Sequence, residues 1–284
     1  MNAAHETLRA DAYQIAPDIV RPSLADRARR VAPAVIVACV VVFCFLDLNL
    51  DLSRLSNWSE IAGRMVAGLL SPTPGNNLDR IVDALIETMA MAVAGTVLAV
   101  SLALPLGIAG SRTVIANPIA HNAIRFVYDL LRAIPALIWA IIIIRAVGLG
   151  PVAGVFAIGL AEAPYIAKLF AEYLDNIDAK PRNALIASGA SRFQAFRFAI
   201  LPQILPQYVG LSLYFFELNV RAAAALGVVG AGGLGVMLED RLGYAAFDEV
   251  AFMIILLLVI VAVVDTISSR LRQRIMGNDQ ISWG

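Results

Sequence analysis

The sequence predicts an all-α transmembrane protein of six helices. Three observations carry this: the apolar composition, the number and length of the apolar runs, and the gathering of arginines on alternate loops. Of the 284 residues, 60% are hydrophobic and 15% charged, whereas soluble domains average roughly half and about a quarter. A bilayer core of ~30 Å takes about 20 residues of helix, and six runs reach that length, near 31–50, 87–110, 128–148, 150–173, 201–225 and 249–268. Arg9, Arg21, Arg27, Arg29 and Arg30 precede the first run. Arg112, Arg125 and Arg132 follow the second, Lys180, Arg182, Arg192 and Arg197 follow the fourth, and Arg270, Arg272 and Arg274 end the sixth. With six spans all of these lie on one side, so the basic-residue bias predicts that both termini are cytoplasmic.

The first span, after a polar segment over residues 1–30, is expected to be a retained signal anchor and not a cleaved signal peptide. The second contains an uncharged stretch from Thr88 to Ser111. Its small residues Ala90 and Ala94, and again Ala99, Ala103 and Gly107, suit close helix packing. Cys39 and Cys44 lie five apart in the first span, a spacing that points them in different directions and implies no disulfide framework. Formal net charge is zero, so nothing in the charge total points to nucleic acid. The expected organisation is a cytoplasmic segment over 1–30, a single transmembrane domain over 31–275 and a cytoplasmic tail over 276–284.

Between the fourth and fifth spans, residues 174–202 read as a polar knob on the membrane surface. Pro181 suits a first helical position, and a short helix from there ends at Gly189 in the left-handed conformation. Ser191 and Gln194 have capping-box spacing for a second helix. Phe193, Phe196 and Ile200 give that helix an apolar stripe before Leu201-Pro202 turns the chain back into the membrane. An ordinary cytoplasmic hairpin is the simpler alternative.

The chain holds only two lysines, Lys168 before Leu169 and Lys180 before Pro181, so it lacks the GK[ST] of a nucleotide-binding loop. Residues 227–235, GVVGAGGLG, follow a membrane helix and not a strand, which argues against a dinucleotide site. Gly230, Gly232, Gly233 and Gly235 are better suited to irregular backbone at membrane depth, packed beside a gate. Arg145, Glu162, Glu217 and Arg221 lie within or near the ends of apolar spans, where charges usually face a protein interior or an aqueous path. Glu217 and Arg221 are four apart and can pair on one helix face. They form either a structural ion pair or a site where Arg221 attracts an anion and Glu217 positions it. Glu162 suits packing or gating, and Arg145 snorkelling to the interface. An intramembrane hydrolase is disfavoured: there is no Gly-x-Ser-x-Gly elbow, and the two histidines, His5 and His121, sit outside the spans.

The knob resembles the coupling element of binding-protein-dependent ABC importer permeases. Ala184, Gly189, Leu201 and Pro202 fit that pattern, while Asn183, Leu185 and Ala199 stand where it has Glu, Ala and Ile. FELNVRAAAALGVVGAGGLG from Phe216 to Gly235, LRAIPALIWAIIIIRAVGLGPVAGVFAI from Leu131 to Ile158, and KLFAEYLDNID from Lys168 to Asp178 resemble the phosphonate-import branch. The resemblance spans about residues 80 to 275. It implies a six-helix type I permease of the inner membrane that pairs with a second copy of itself and binds no cofactor. ATP and Mg would be held by two cytoplasmic ATPase subunits, docked through Asn183, Ala184, Gly189, Ala190, Leu201 and Pro202. A periplasmic or lipid-anchored binding protein would deliver phosphonate, phosphite, hypophosphite or phosphate. An ion-coupled secondary transporter is the alternative.

Overall fold

The computed structural model describes residues 24–47, 58–112, 115 and 117–276, and every regular element among them is helical. The chain divides into two compact units between Ala62 and Gly63. The first carries α1, Leu24–Asp47, with an exposed apolar stretch Val31–Cys44 that includes both cysteines. That stretch is shorter than a bilayer core requires, and residues 48–50 of the expected first span lie outside the described residues. So do residues 1–23 and 277–284, which hold most of the expected N-terminal segment and tail. Helix α2, Trp58–Leu70, straddles the division.

In the second unit α3 runs Leu78–Gly110, nine residues earlier than the apolar stretch predicts, because Asp79, Arg80 and Asp83 lie on its exposed side while Ile81 and Leu85 are buried, so an amphipathic stretch extends it from Asn77. Its small residues divide by face. Ala99, Ala103 and Gly107 are buried, with Gly107 against Phe170 and Ala167 of α6, whereas Ala90 and Ala94 are exposed. Helix α6 is Pro151–Asp175. Its buried Ile166, Ala167, Phe170 and Leu174 share one core with Tyr208, Leu211 and Phe215 of α9, Leu201–Leu226. The Tyr208 hydroxyl donates to the Val100 carbonyl at 2.5 Å, so a ring buried between three helices leaves no orphan donor.

The expected third span is not continuous. It is two helices, α4 Pro118–Arg132 and α5 Ala136–Val147, bent by 80°. Pro135 has no N–H to continue α4 and keeps Ile134 out of the helical region, so the chain turns there. A polar seam joins α4 to α6. Asp129 accepts from Lys168 at 2.5 Å, Arg125 pairs with Glu172 at 3.3 Å, and the Arg132 guanidinium lies 3.9 Å over the Tyr165 ring. Among the described residues four helices are individually long and apolar enough to cross a bilayer, and the count is five if the bent pair is one broken span. The knob holds α7, Ala179–Ala187, and α8, Arg192–Ala195, and α9 is followed by α10, Gly233–Gly243, and α11, Phe247–Met276.

Candidate functional site

The knob is built almost wholly from local hydrogen bonds. Helix α7 starts two residues before Pro181, capped by Asp178, whose side chain accepts from the Lys180 amide at 2.9 Å; Pro181 is its third residue, still in the first turn, where no amide donor is missed. At the other end Gly189 has φ +89°, its amide bonds the Ile186 carbonyl, and the Ala190 amide reaches back to Leu185, both at 3.0 Å. This six-to-one and five-to-two pairing closes the helix with a glycine in the left-handed region. The capping box is formed in full, with the Ser191 amide donating to Gln194 Oε1 and the Gln194 amide to Ser191 Oγ.

The return into the membrane differs from the expected turn at Leu201-Pro202. Helix α8, a wide π-type turn over Phe196–Ile200 and α9 form one continuous run from Arg192 to Leu226. Pro202 cannot donate to the carbonyl one turn back, and the Leu201 amide instead reaches five residues back to Phe196, absorbing the mismatch without ending the helix. Gln203 then ties the two legs of the knob together. Its amide nitrogen donates to the carbonyls of Ala199 and Asp178, and its Oε1 accepts from the Asp178 amide at 3.2 Å. Sequence reading missed Gln203, because a glutamine after Leu-Pro carries no local signal of a bond 25 residues away. In this knob Asn183, Ala184 and Gly189 are exposed, and no residue of α7 is buried.

The glycine-rich element is held by distant residues. Gly230, Gly232 and Gly233 all have positive φ, and α10 starts at Gly233. Its first amides are met by α3: Glu87 Oε2 accepts from the Gly233 amide at 3.0 Å and Thr88 Oγ1 from the Leu234 amide at 2.8 Å. A carboxylate at a helix N-terminus satisfies orphan donors and the positive end of the helix dipole together. The Gly150 amide donates to the Gly230 carbonyl, joining the element to the start of α6. Gly235 lies so close to the end of α9 that a Cβ there would fall 2.1 Å from the Ala224 carbonyl oxygen and 2.6 Å from Gly227 Cα. Neither Glu87 nor Thr88 was singled out from sequence. The one available sign was a carboxylate at the very edge of an uncharged run.

The intramembrane charges do not pair as their spacing suggested. Glu217 is bonded to Arg272 of α11, and Arg221 Nη2 donates to Asp265 of α11 at 3.2 and 3.3 Å. The four-residue spacing puts both on one face of α9, but that face lies along α11, which supplies a separate partner to each. The two pairs differ in exposure. The Glu217 and Arg272 side chains are 12% and 30% exposed, those of Arg221 and Asp265 50% and 41%. Glu162 is partly buried on α6, one turn before Tyr165 and its covering Arg132, and Arg145 lies in the last turn of α5. The structure therefore brings Glu217 and Arg221 to one seam, Gly230, Gly232, Gly233 and Gly235 to a second place and the knob residues to a third.

Residues 95–277 match the family profile described as binding-protein-dependent transport system inner membrane component. The phosphite transport system permease protein PtxC of Stutzerimonas stutzeri is 34% identical over 240 residues, 84% of this chain and 87% of the relative. The phosphate-import permease protein PhnE of Mycolicibacterium smegmatis is 32% identical over 89% of this chain and 48% of its own length. Among solved structures, a chain of the inward-facing MetNI methionine ABC transporter superposes with a TM-score of 0.64 at 25% identity, over 72% of this chain and 99% of that one. Sequence, fold and relatives agree: the chain belongs to the family of binding-protein-dependent transport system inner membrane components, and it is a multi-pass ABC importer permease.

Proposed function

We propose that this chain forms, as a homodimer, the translocation path of an ATP-driven importer for phosphonate or a related phosphorus oxyanion, with both termini cytoplasmic. The observation that carries the coupling half of this reading is the knob itself. It is a capped, cross-tied element continuous with α9, whose α7 buries nothing and whose Ile186, Phe193 and Phe198 are exposed beside it. Exposed apolar side chains grouped on such a rigid surface element suit a protein interface, and the partners that fit are two ATPase subunits holding ATP and Mg. Their closure pushes the knob, and the unbroken run through the π-type turn passes that movement to α9. Arg221 supplies positive potential to the path, the glycine element forms a gate at the far end of α9, and Glu162 packs or gates at the α6 seam. The relatives named for phosphite and phosphate transport favour an inorganic phosphorus oxyanion within this class, and nothing among them favours an ion-coupled carrier.

Reconstitution with the cognate ATPase and binding protein tests the reading. Uptake of radiolabelled phosphite, phosphate or methylphosphonate into proteoliposomes is expected to require ATP, and uptake driven by an ion gradient without ATP would overturn it. Labelling of an Arg274→Cys variant by an impermeant thiol reagent applied only from the periplasmic face would overturn the orientation. A single copy per ATPase pair in the native mass of the complex would overturn the homodimer.

A further inference from the structure

Asp265 is the only charged residue between Glu249 and Arg270, a run otherwise made of apolar and hydroxyl residues. It lies about 27 Å along α11 from Phe247 and about 8 Å short of Arg270, within the part of α11 that is long and apolar enough to span a bilayer. At that depth it meets Arg221 through both carboxylate oxygens, and both side chains remain about half exposed. A half-exposed ion pair cannot face hydrocarbon without a large loss of solvation, so this side of α9 and α11 faces water or protein. Its surroundings agree. Next to the pair, Ala225 on α9 and Ala262, Thr266 and Ser269 on α11 are exposed and small or polar; two turns away on the same faces Leu258, Tyr214 and Val228 are exposed and large, and Val259, Val263 and Ile267 on the adjoining side of α11 are exposed and aliphatic. The neighbouring Glu217–Arg272 pair is more buried and neutralises itself, so it neither satisfies Arg221 nor competes with it.

From this geometry we infer that Asp265 is the resident counter-ion of Arg221 in an aqueous path, a carboxylate that a passing phosphorus oxyanion displaces from the guanidinium. One guanidinium nitrogen, Nη2, bridges both Asp265 oxygens, and a phosphorus oxyanion presents a like pair of acceptors to the same arginine. With the path empty, Asp265 neutralises a cation that would otherwise sit unpaired at membrane depth. When the anion arrives, Arg221 exchanges one pair of oxygens for another, and the released Asp265 then repels the ion onward. Asp265 is thus a positioning residue acting through Arg221. The inference rests on the proposed oxyanion transport and adds to it the residue that returns Arg221 to its resting state.

The test uses the full complex in lipid nanodiscs, with Cys39→Ser and Cys44→Ser removing the native thiols. Three variants, Asp265→Cys, Ala225→Cys and Ile267→Cys, are each treated with an anionic and a cationic methanethiosulfonate. Asp265→Cys and Ala225→Cys are expected to react on the order of tenfold faster than Ile267→Cys, and adding Arg221→Gln to Asp265→Cys should remove its preference for the anionic reagent. Sodium phosphite should slow labelling of both path variants. Ala225→Cys keeps the ion pair intact, so the result does not depend on Asp265→Cys assembling. Slow labelling of both, as at Ile267→Cys, means that lipid or the second copy covers this face and overturns the inference. Fast labelling indifferent to reagent charge and to phosphite makes the pair structural and overturns it too. Uptake by the parent complex is measured in parallel: transport with flat labelling removes only this inference, whereas absence of phosphorus-oxyanion uptake removes the functional reading beneath it.

Discussion

The knob and the glycine-rich element are both places where a helix stops at a glycine, yet they solve the same backbone problem in opposite ways. The knob satisfies its helix ends with residues a few positions away: Asp178 for the Lys180 amide, Ser191 and Gln194 for each other, and the Ile186 and Leu185 carbonyls for Gly189 and Ala190. The glycine element is met from far along the chain, by Glu87 and Thr88 across 146 residues. The glycines differ in kind as well. Nothing lies within 4 Å of a Cβ built on Gly189, so only its φ of +89° demands glycine, whereas Gly235 touches backbone on two sides. A surface element beside water tolerates self-contained bonding. One among packed helices has no water to meet its amides and must be completed by the tertiary structure.

Substitutions can break this comparison, and the largest effect is expected at Gly235. Gly235→Val forces the end of α9 and the start of α10 apart and should destabilise the protein by about 3 kcal/mol, seen as loss of a monodisperse complex and a lowered unfolding midpoint in detergent. A stable Gly235→Val protein would mean that the close approach is not maintained. Next in size, Glu87→Ala leaves the Gly233 amide unmet and should cost about 2 kcal/mol, measured by thermal unfolding. Glu87→Gln, which keeps an acceptor, should lose clearly less. The smallest stability change is expected at the knob, where Gly189→Val strains one residue by roughly 1–2 kcal/mol. There the effect falls on coupling: ATP-driven uptake and stimulation of the ATPase should disappear while insertion persists. Gly189→Asn, which tolerates the left-handed region, should restore much of both. If Gly189→Val couples normally, the knob is not the element that transmits ATPase movement.

The same contrast explains which features the sequence revealed. The Ser191/Gln194 box and the left-handed turn at Gly189 were legible because their partners lie within one or two helical turns. The paired spacing of Glu217 and Arg221 misled for the same reason: it is a local signal, and it lost to Arg272 and Asp265, which lie 55 and 44 residues away and meet the same face of α9. The third span was legible as apolar length, but its 80° break at Pro135 depended on weighing one proline against a run that otherwise reads as continuous. Helix α3 was read too short because charge was taken to end the span, although charge does not end a helix.

What the sequence by itself determined is the all-helical membrane class, most of the spans, and the Ser191/Gln194 capping box and Gly189 turn of the knob. Apolar content and hydrogen bonds between near neighbours act without knowledge of the rest of the fold. Only the tertiary structure decided that Gln203 ties the knob legs together, that Glu87 and Thr88 complete the start of α10, and that Arg221 meets Asp265. Each of these joins residues far apart in the chain, and such pairs are fixed by how the helices pack, because an amide or charge withdrawn from water must find its partner wherever packing places one.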